Sequence, residues 1–63
     1  MNNPPKVGDR IVVYGYVDIP VTVESVERDK GTYIIHLNWG TFGKSRVYSH
    51  DEGDVWYRHS QLN

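Results

Sequence analysis

Apolar and polar residues alternate along most of this chain with a period of two, which is typical of β-strands buried on one side. The pattern is clearest in residues 32–39, where every odd position is large and apolar and the even positions, apart from Ile34, are polar. No segment carries a sustained helical period. The pattern therefore predicts an all-β protein.

Turn residues divide the chain into five short strands. Gly31 and Gly53 lie in polar segments that are typical of turns, and Pro20 precedes an alternating run. The predicted strands are residues 10–14, 21–27, 32–39, 45–48 and 55–58, followed by a short 3₁₀ turn at His59–Leu62 near the C-terminus.

Five strands in so short a chain favour a small barrel over a sandwich. Closure of a barrel also removes the sheet edges that an open sheet would offer for pairing. The facing of the strands predicts the core: Ile11, Val13, Val23, Val26, Ile35, Leu37, Val47 and Val55.

Length and composition restrict the functions that the chain can have. With 63 residues and no cysteine, it has room for one small domain without disulfides or cysteine-ligated zinc. Seven Lys and Arg residues against eight Asp and Glu residues give a formal net charge of -1, so there is no overall basic field for nucleic acid. The first six residues lack the apolar core of a secretion signal, and no long apolar run is present. We expect a cytoplasmic location and no membrane binding.

Three segments resemble SH3-like small barrels of the Tudor and KOW type. Residues 6–11 (KVGDRI) resemble the segment that leads into the first strand, and residues 19–23 (IPVTV) resemble the Tudor pattern of a proline before a strand. Residues 58–62 (RHSQL) resemble the closing turn, in which a final leucine, here Leu62, caps the core. The resemblance implies a five-stranded SH3-like barrel over residues 7–63, and residues 1–6 are expected to form a flexible arm.

Tudor-like domains commonly bind methylated lysine or arginine in a cage of aromatic rings, so the resemblance implies a candidate cage. Tyr14 or Tyr16 matches the first cage position, and Trp39 or Phe42 matches the second. The acids at 51–52 would supply an anion. A methylated ammonium is attracted to ring faces because these carry negative potential.

The loop at residues 39–43 (WGTFG) places two large aromatics between glycines that permit a tight turn. Loops on a rigid scaffold often carry function, and Tyr and Trp are favoured anchors of protein interfaces. We therefore expect a small binding module that docks a protein partner, as a phage-type or other accessory protein or as a domain of a larger one. Trp39 has a structural alternative, because it shares a face with Leu37. The expected partner-binding residues are Tyr14, Tyr16, Trp39, Phe42, Tyr48 and Trp56.

Nucleic-acid binding is the main competing hypothesis. Lys44, Arg46 and Arg58 would form a basic stripe if the fourth and fifth strands were neighbours, with aromatic rings between them as stacking platforms. The resemblance to KOW-type barrels, which bind RNA, DNA or the transcription machinery, allows this. The acids at 51–54 and the net negative charge oppose it.

Catalysis and metal binding are not expected. The compact titratable cluster His50-Asp51-Glu52 falls at a predicted turn, where solvated acids are ordinary. The sequence shows no nucleophile with a placed base and no phosphate-binding glycine loop. The chain is also short for walling a pocket. We expect a non-enzymatic protein without cofactor or metal.

Overall fold

The computed structural model describes residues 3–15 and 19–62, and of Gln61 and Leu62 it describes the main chain alone. The expected core contact of Leu62 therefore lies outside the described side chains. The described residues form an all-β fold, as predicted. The five strands are β1 (Arg10–Val13), β2 (Val21–Asp29), β3 (Thr32–Asn38), β4 (Lys44–Tyr48) and β5 (Trp56–Arg58).

The strands form one antiparallel sheet in the order β4-β3-β2-β1-β5. The outer strands β4 and β5 share no ladder, so the sheet is not closed and the predicted barrel is not confirmed. They nevertheless contact each other, because the indole Nε1 of Trp56 donates a hydrogen bond to the main-chain oxygen of Tyr48 at 2.8 Å. The sheet therefore curves until its two ends meet through a side chain.

Short 3₁₀ turns complete the fold. They span Gly40–Phe42, Ser49–Asp51 and His59–Leu62, and the last of these confirms the turn predicted near the C-terminus. The other two replace segments that the sequence pattern assigned to loops. Among the described residues, no helix is long and apolar enough to cross a membrane.

The hairpin between β2 and β3 is tighter than the sequence pattern predicts. Asp29 still pairs with Thr32, so only Lys30 and Gly31 remain in the turn. Both have positive φ, 47° and 86°. This is the geometry of a two-residue turn whose twist matches that of the flanking strands.

A β-bulge keeps two valines of β2 on the core side although they are three positions apart. The ladder register shifts between Val23 and Ser25, which leaves Glu24 as the extra residue. A bulge resets the alternation of side chains. Val23 is therefore buried, and Val26 packs against the same core.

The core fills the inner side of the curved sheet. It consists of Ile11, Val21, Val23, Ile35, Leu37, Val47 and Trp56, with Val13, Val26 and Trp39 partly buried against it. One predicted core residue is wrong: Val55 is 39% exposed, whereas Trp56 is fully enclosed. Strand β5 begins at Trp56, so Val55 lies in the preceding turn. The inward position of the strand is then taken by the side chain with more apolar area to bury.

Residues before β1 also contact the sheet. Pro5 is fully buried, and the main-chain N–H of Gly8 donates to the Val23 carbonyl at 3.0 Å. The Asp9 carboxylate accepts a hydrogen bond from the Lys6 N–H at 2.9 Å. Part of the predicted N-terminal arm is therefore packed against the folded domain.

Truncating Leu37 should strongly destabilise the protein. Its side chain is fully buried in the centre of the core, and large-to-small changes at such sites cost about 2–5 kcal/mol. Urea unfolding of Leu37→Ala should show a loss of this size. The matched control is Val55→Ala, which should change the free energy of unfolding by less than about 1 kcal/mol because the side chain is partly exposed. Equal losses would contradict the observed facing of β5.

Trp56→Phe tests the indole bond that joins the outer strands. The substitution keeps an aromatic ring but removes the donor to the Tyr48 carbonyl, and the loss of a typical hydrogen bond costs about 0.5–1.5 kcal/mol. Thermal or urea unfolding should show at least this loss. Trp39→Phe also removes an indole donor, but at a half-buried site that water reaches, so its loss should be smaller. A larger loss in the free energy of unfolding for Trp39→Phe than for Trp56→Phe would contradict the stabilising role of the indole bond between the outer strands.

Candidate docking surface

A 3₁₀ turn holds the ring of Phe42 away from the sheet. Gly40 and Gly43 have φ of 68° and 93°, a region that glycine enters at little cost. The Trp39 N–H donates to the Gly43 carbonyl at 2.8 Å, and the Gly43 N–H donates to the Gly40 carbonyl at 3.0 Å. The side-chain oxygen of Asn38 accepts the Gly40 N–H at 2.9 Å. The loop is therefore fixed by its own hydrogen bonds rather than by burial of Phe42.

Phe42 belongs to an exposed apolar surface, which we call the apolar corner, formed by Ile19, Pro20, Trp39 and Phe42. Phe42 is 89% exposed and Ile19 is 62% exposed. The corner borders an open groove of about 290 Å³ that also contacts Val21, Thr22 and Asn38. None of these lining residues is charged. The surface is therefore chemically suited to an apolar side chain.

Trp39 forms the fixed wall of this groove. Its ring is half-buried against the core, and its Nε1 donates to the Ser45 hydroxyl at 2.6 Å. Trp39 therefore packs against the core, which is the structural alternative that the sequence allows. The same ring also lines the groove. One face of the corner is therefore held by the core itself.

The other aromatics of the predicted surface are not part of the corner. Trp56 is fully buried, so its expected place on an exposed surface is wrong. Tyr14 contacts Tyr57, with ring centroids 4.9 Å apart, on the outer side of β1 and β5. Tyr48 stacks on His50 at 5.7 Å beside β4. The fourth candidate, Tyr16, lies outside the described residues.

The predicted basic stripe is not continuous. The Nε of Arg58 lies 2.9 Å from the Glu52 carboxylate, and its guanidinium is 6.0 Å from the Trp56 ring centroid. Because β4 and β5 are at opposite ends of the sheet, Arg58 is not beside Lys44 in the ladder. Lys44 forms an exposed ion pair with Glu24 at 3.3 Å. Lys44 and Arg46 are both exposed, whereas Arg58 is only partly exposed.

The histidine and acid cluster at residues 50–52 is used for local structure. The Nδ1 of His50 lies 2.8 Å from the Thr32 hydroxyl, and Glu52 is engaged by Arg58. The nearest His50 nitrogen is 3.7 Å from Asp51. Within residues 3–15 and 19–62, no group of three or more His, Cys, Asp or Glu residues is arranged to hold a metal ion.

Sequence reasoning missed Ile19 and Pro20 as members of the candidate surface. They precede β2, in a segment that the sequence pattern places between two strands. The available signal in the sequence was an isoleucine next to a proline in a segment between two strands. Apolar side chains in such a segment can contribute to an exposed apolar patch. Which loop they would meet depends on the fold, because Thr22 of β2 pairs with Asn38 of β3.

Comparisons with known proteins give no family for this chain. A scan against protein-family models finds no match, and neither the curated proteins nor the solved structures contain a significant match. What the corner can bind is therefore inferred from its own chemistry.

Proposed function

We propose that this protein is a small non-enzymatic binding module that docks a protein partner through the apolar corner. The observation that carries the proposal is the 89% exposure of Phe42 in a loop closed by its own hydrogen bonds. The partner would insert an apolar side chain into the groove between Ile19, Trp39 and Phe42.

The energetics favour a partner over accidental exposure. A single exposed apolar residue is ordinary on protein surfaces. Here Phe42 is next to Ile19 and Pro20 around one groove, and contiguous apolar surface is the feature that marks interaction sites. Removing apolar area from water is favourable by about 25 cal/mol per Å², before the costs of association are subtracted. Because the loop is already ordered, little conformational entropy is lost when a partner covers it.

We further propose that the domain is an SH3-like small barrel of the kind that the sequence resembles. Two features support this: the strand order β4-β3-β2-β1-β5, and the contact from Trp56 to Tyr48 that brings the outer strands together. Such a barrel supplies the rigid scaffold on which a short loop can carry function.

The alternative functions have weaker support. A methyl-ammonium cage needs several rings and an anion, but the described residues that line the groove include two aromatic rings, Trp39 and Phe42, and no carboxylate. A nucleic-acid surface needs cations beside the rings. Within the described lining of the groove there are none, and Arg58 is engaged by Glu52.

Phe42→Ala should abolish docking without unfolding the domain. A peptide selected on the protein from a random display library should carry an apolar anchor, and fluorescence anisotropy should show a loss of at least about tenfold in affinity, or 1.4 kcal/mol. The stability of the variant should change by less than about 1 kcal/mol because Phe42 is exposed. Thr41→Ala is the matched control in the same turn and should bind as the parent does.

Two outcomes would reject this function. Selected peptides that bind Phe42→Ala as tightly as the parent would place the site elsewhere. Tight binding of single-stranded DNA or RNA with a steep salt dependence would favour the nucleic-acid alternative, because phosphate contacts release counterions.

A further inference from the structure

Strand β4 has an edge that the sheet does not use. It lies at one end of the strand order and pairs with β3 on its other side. Main-chain N–H and C=O groups along such an edge can pair with another strand. The expectation that closure removes the edges of this sheet therefore does not hold for β4.

The register identifies which residues direct their main-chain groups to this edge. The Tyr48 carbonyl points away from β3, because it accepts the hydrogen bond from Trp56. Main-chain groups of alternate residues in a strand point to the same side. Arg46 and Lys44 therefore also direct their N–H and C=O groups outward, and no hydrogen bond from a described turn or loop reaches them.

The opposite end of the sheet is covered. The Gly53 N–H donates to the Trp56 carbonyl at 2.7 Å, which occupies the outward side of β5. The guanidinium of Arg58 binds the Asn3 carbonyl, and this brings residues before β1 to the same end. The free edge of β4 is therefore the better site for an added strand.

The side chains beside this edge are basic. Lys44 and Arg46 lie next to His36 around a shallow depression on the outer face. The ion pair of Lys44 with Glu24 is exposed at both ends, so it is weak and exchangeable. Arg46 has no ion pair or side-chain hydrogen bond within the described residues. The edge can therefore accept negative charge.

The same charges oppose pairing of β4 with a second copy of itself. If two β4 strands paired antiparallel about Arg46, Arg46 of one copy would lie opposite Arg46 of the other. If they paired about Ser45, Arg46 of one copy would lie opposite Lys44 of the other. Like charges directly opposite each other destabilise a sheet. Sliding the strand further would need the Tyr48 carbonyl, which Trp56 already occupies.

We propose that the free edge of β4 binds an extended acidic segment of a partner protein, which adds a sixth strand to the sheet. Main-chain hydrogen bonds would form with Lys44 and Arg46. Carboxylates at alternate positions of the partner segment would lie beside the side chains of Lys44 and Arg46. The apolar residues between these carboxylates would lie on the inner side of the sheet, next to Val47. This surface is separate from the apolar corner.

A peptide in which glutamate alternates with valine tests the proposal. It should bind the intact protein, and its addition should slow hydrogen exchange at the amides of Lys44 and Arg46, measured by NMR. Arg46→Glu should weaken binding by at least about tenfold, because it sets like charges against each other. Arg28→Glu is the matched control at an exposed position of β2 and should change the affinity by less than about threefold.

Peptide variants separate strand addition from simple charge attraction. Methylation of the amides that would face β4 should abolish binding, because it removes main-chain donors and leaves the side chains intact. Equal binding of the methylated peptide, or no slowing of exchange at Arg46 with millimolar peptide, would overturn the proposal. Self-association in sedimentation experiments that protects the same amides would overturn it in favour of a second copy. Phe42→Ala should bind this peptide normally, which distinguishes the edge from the corner.

Discussion

The structure depends on the burial of Trp56 and on its indole hydrogen bond to the Tyr48 carbonyl. These residues belong to the two outer strands, which share no ladder. A sheet of so few short strands gains most of its stability by covering one face with apolar side chains. The indole supplies that cover and also donates a part-buried hydrogen bond to the main-chain carbonyl of Tyr48. Curvature of the sheet and enclosure of its core therefore follow from the same side chain.

This arrangement determines which parts of the surface remain available. Because Trp56 fills the inner side between the outer strands, the core does not need Phe42, and the turn that carries it is closed by its own hydrogen bonds. Because the outer strands meet through a side chain rather than a ladder, the outward main-chain groups of Arg46 and Lys44 have no hydrogen-bond partner among residues 3–15 and 19–62. The proposed docking surface and the proposed strand-addition edge are thus both consequences of an open sheet whose outer strands are joined by one indole hydrogen bond.

Much of the fold was predictable from the sequence, because the period of two in β3 identifies the buried face formed by Ile35 and Leu37. The 3₁₀ turn at His59–Leu62 also agrees with the sequence prediction. The buried position of Trp56 was not predictable from the sequence. Val55 and Trp56 are neighbours, and the residue at which β5 begins decides which of them faces inward. The loop that carries Phe42 was also identified, but Ile19 was not, because their proximity arises from pairing between β2 and β3. Long-range pairing of this kind leaves no local signal.

Native-state hydrogen exchange measured by NMR tests the central claim most directly, since it reports main-chain and indole protection in one experiment. The indole N–H of Trp56 and the amide of Val47, which faces β3, should exchange slowly. The amides of Lys44 and Arg46 should exchange much faster, because they face the free edge. Fast exchange of the Trp56 indole, or protection of the Arg46 amide equal to that of Val47 in the free protein, would contradict the account.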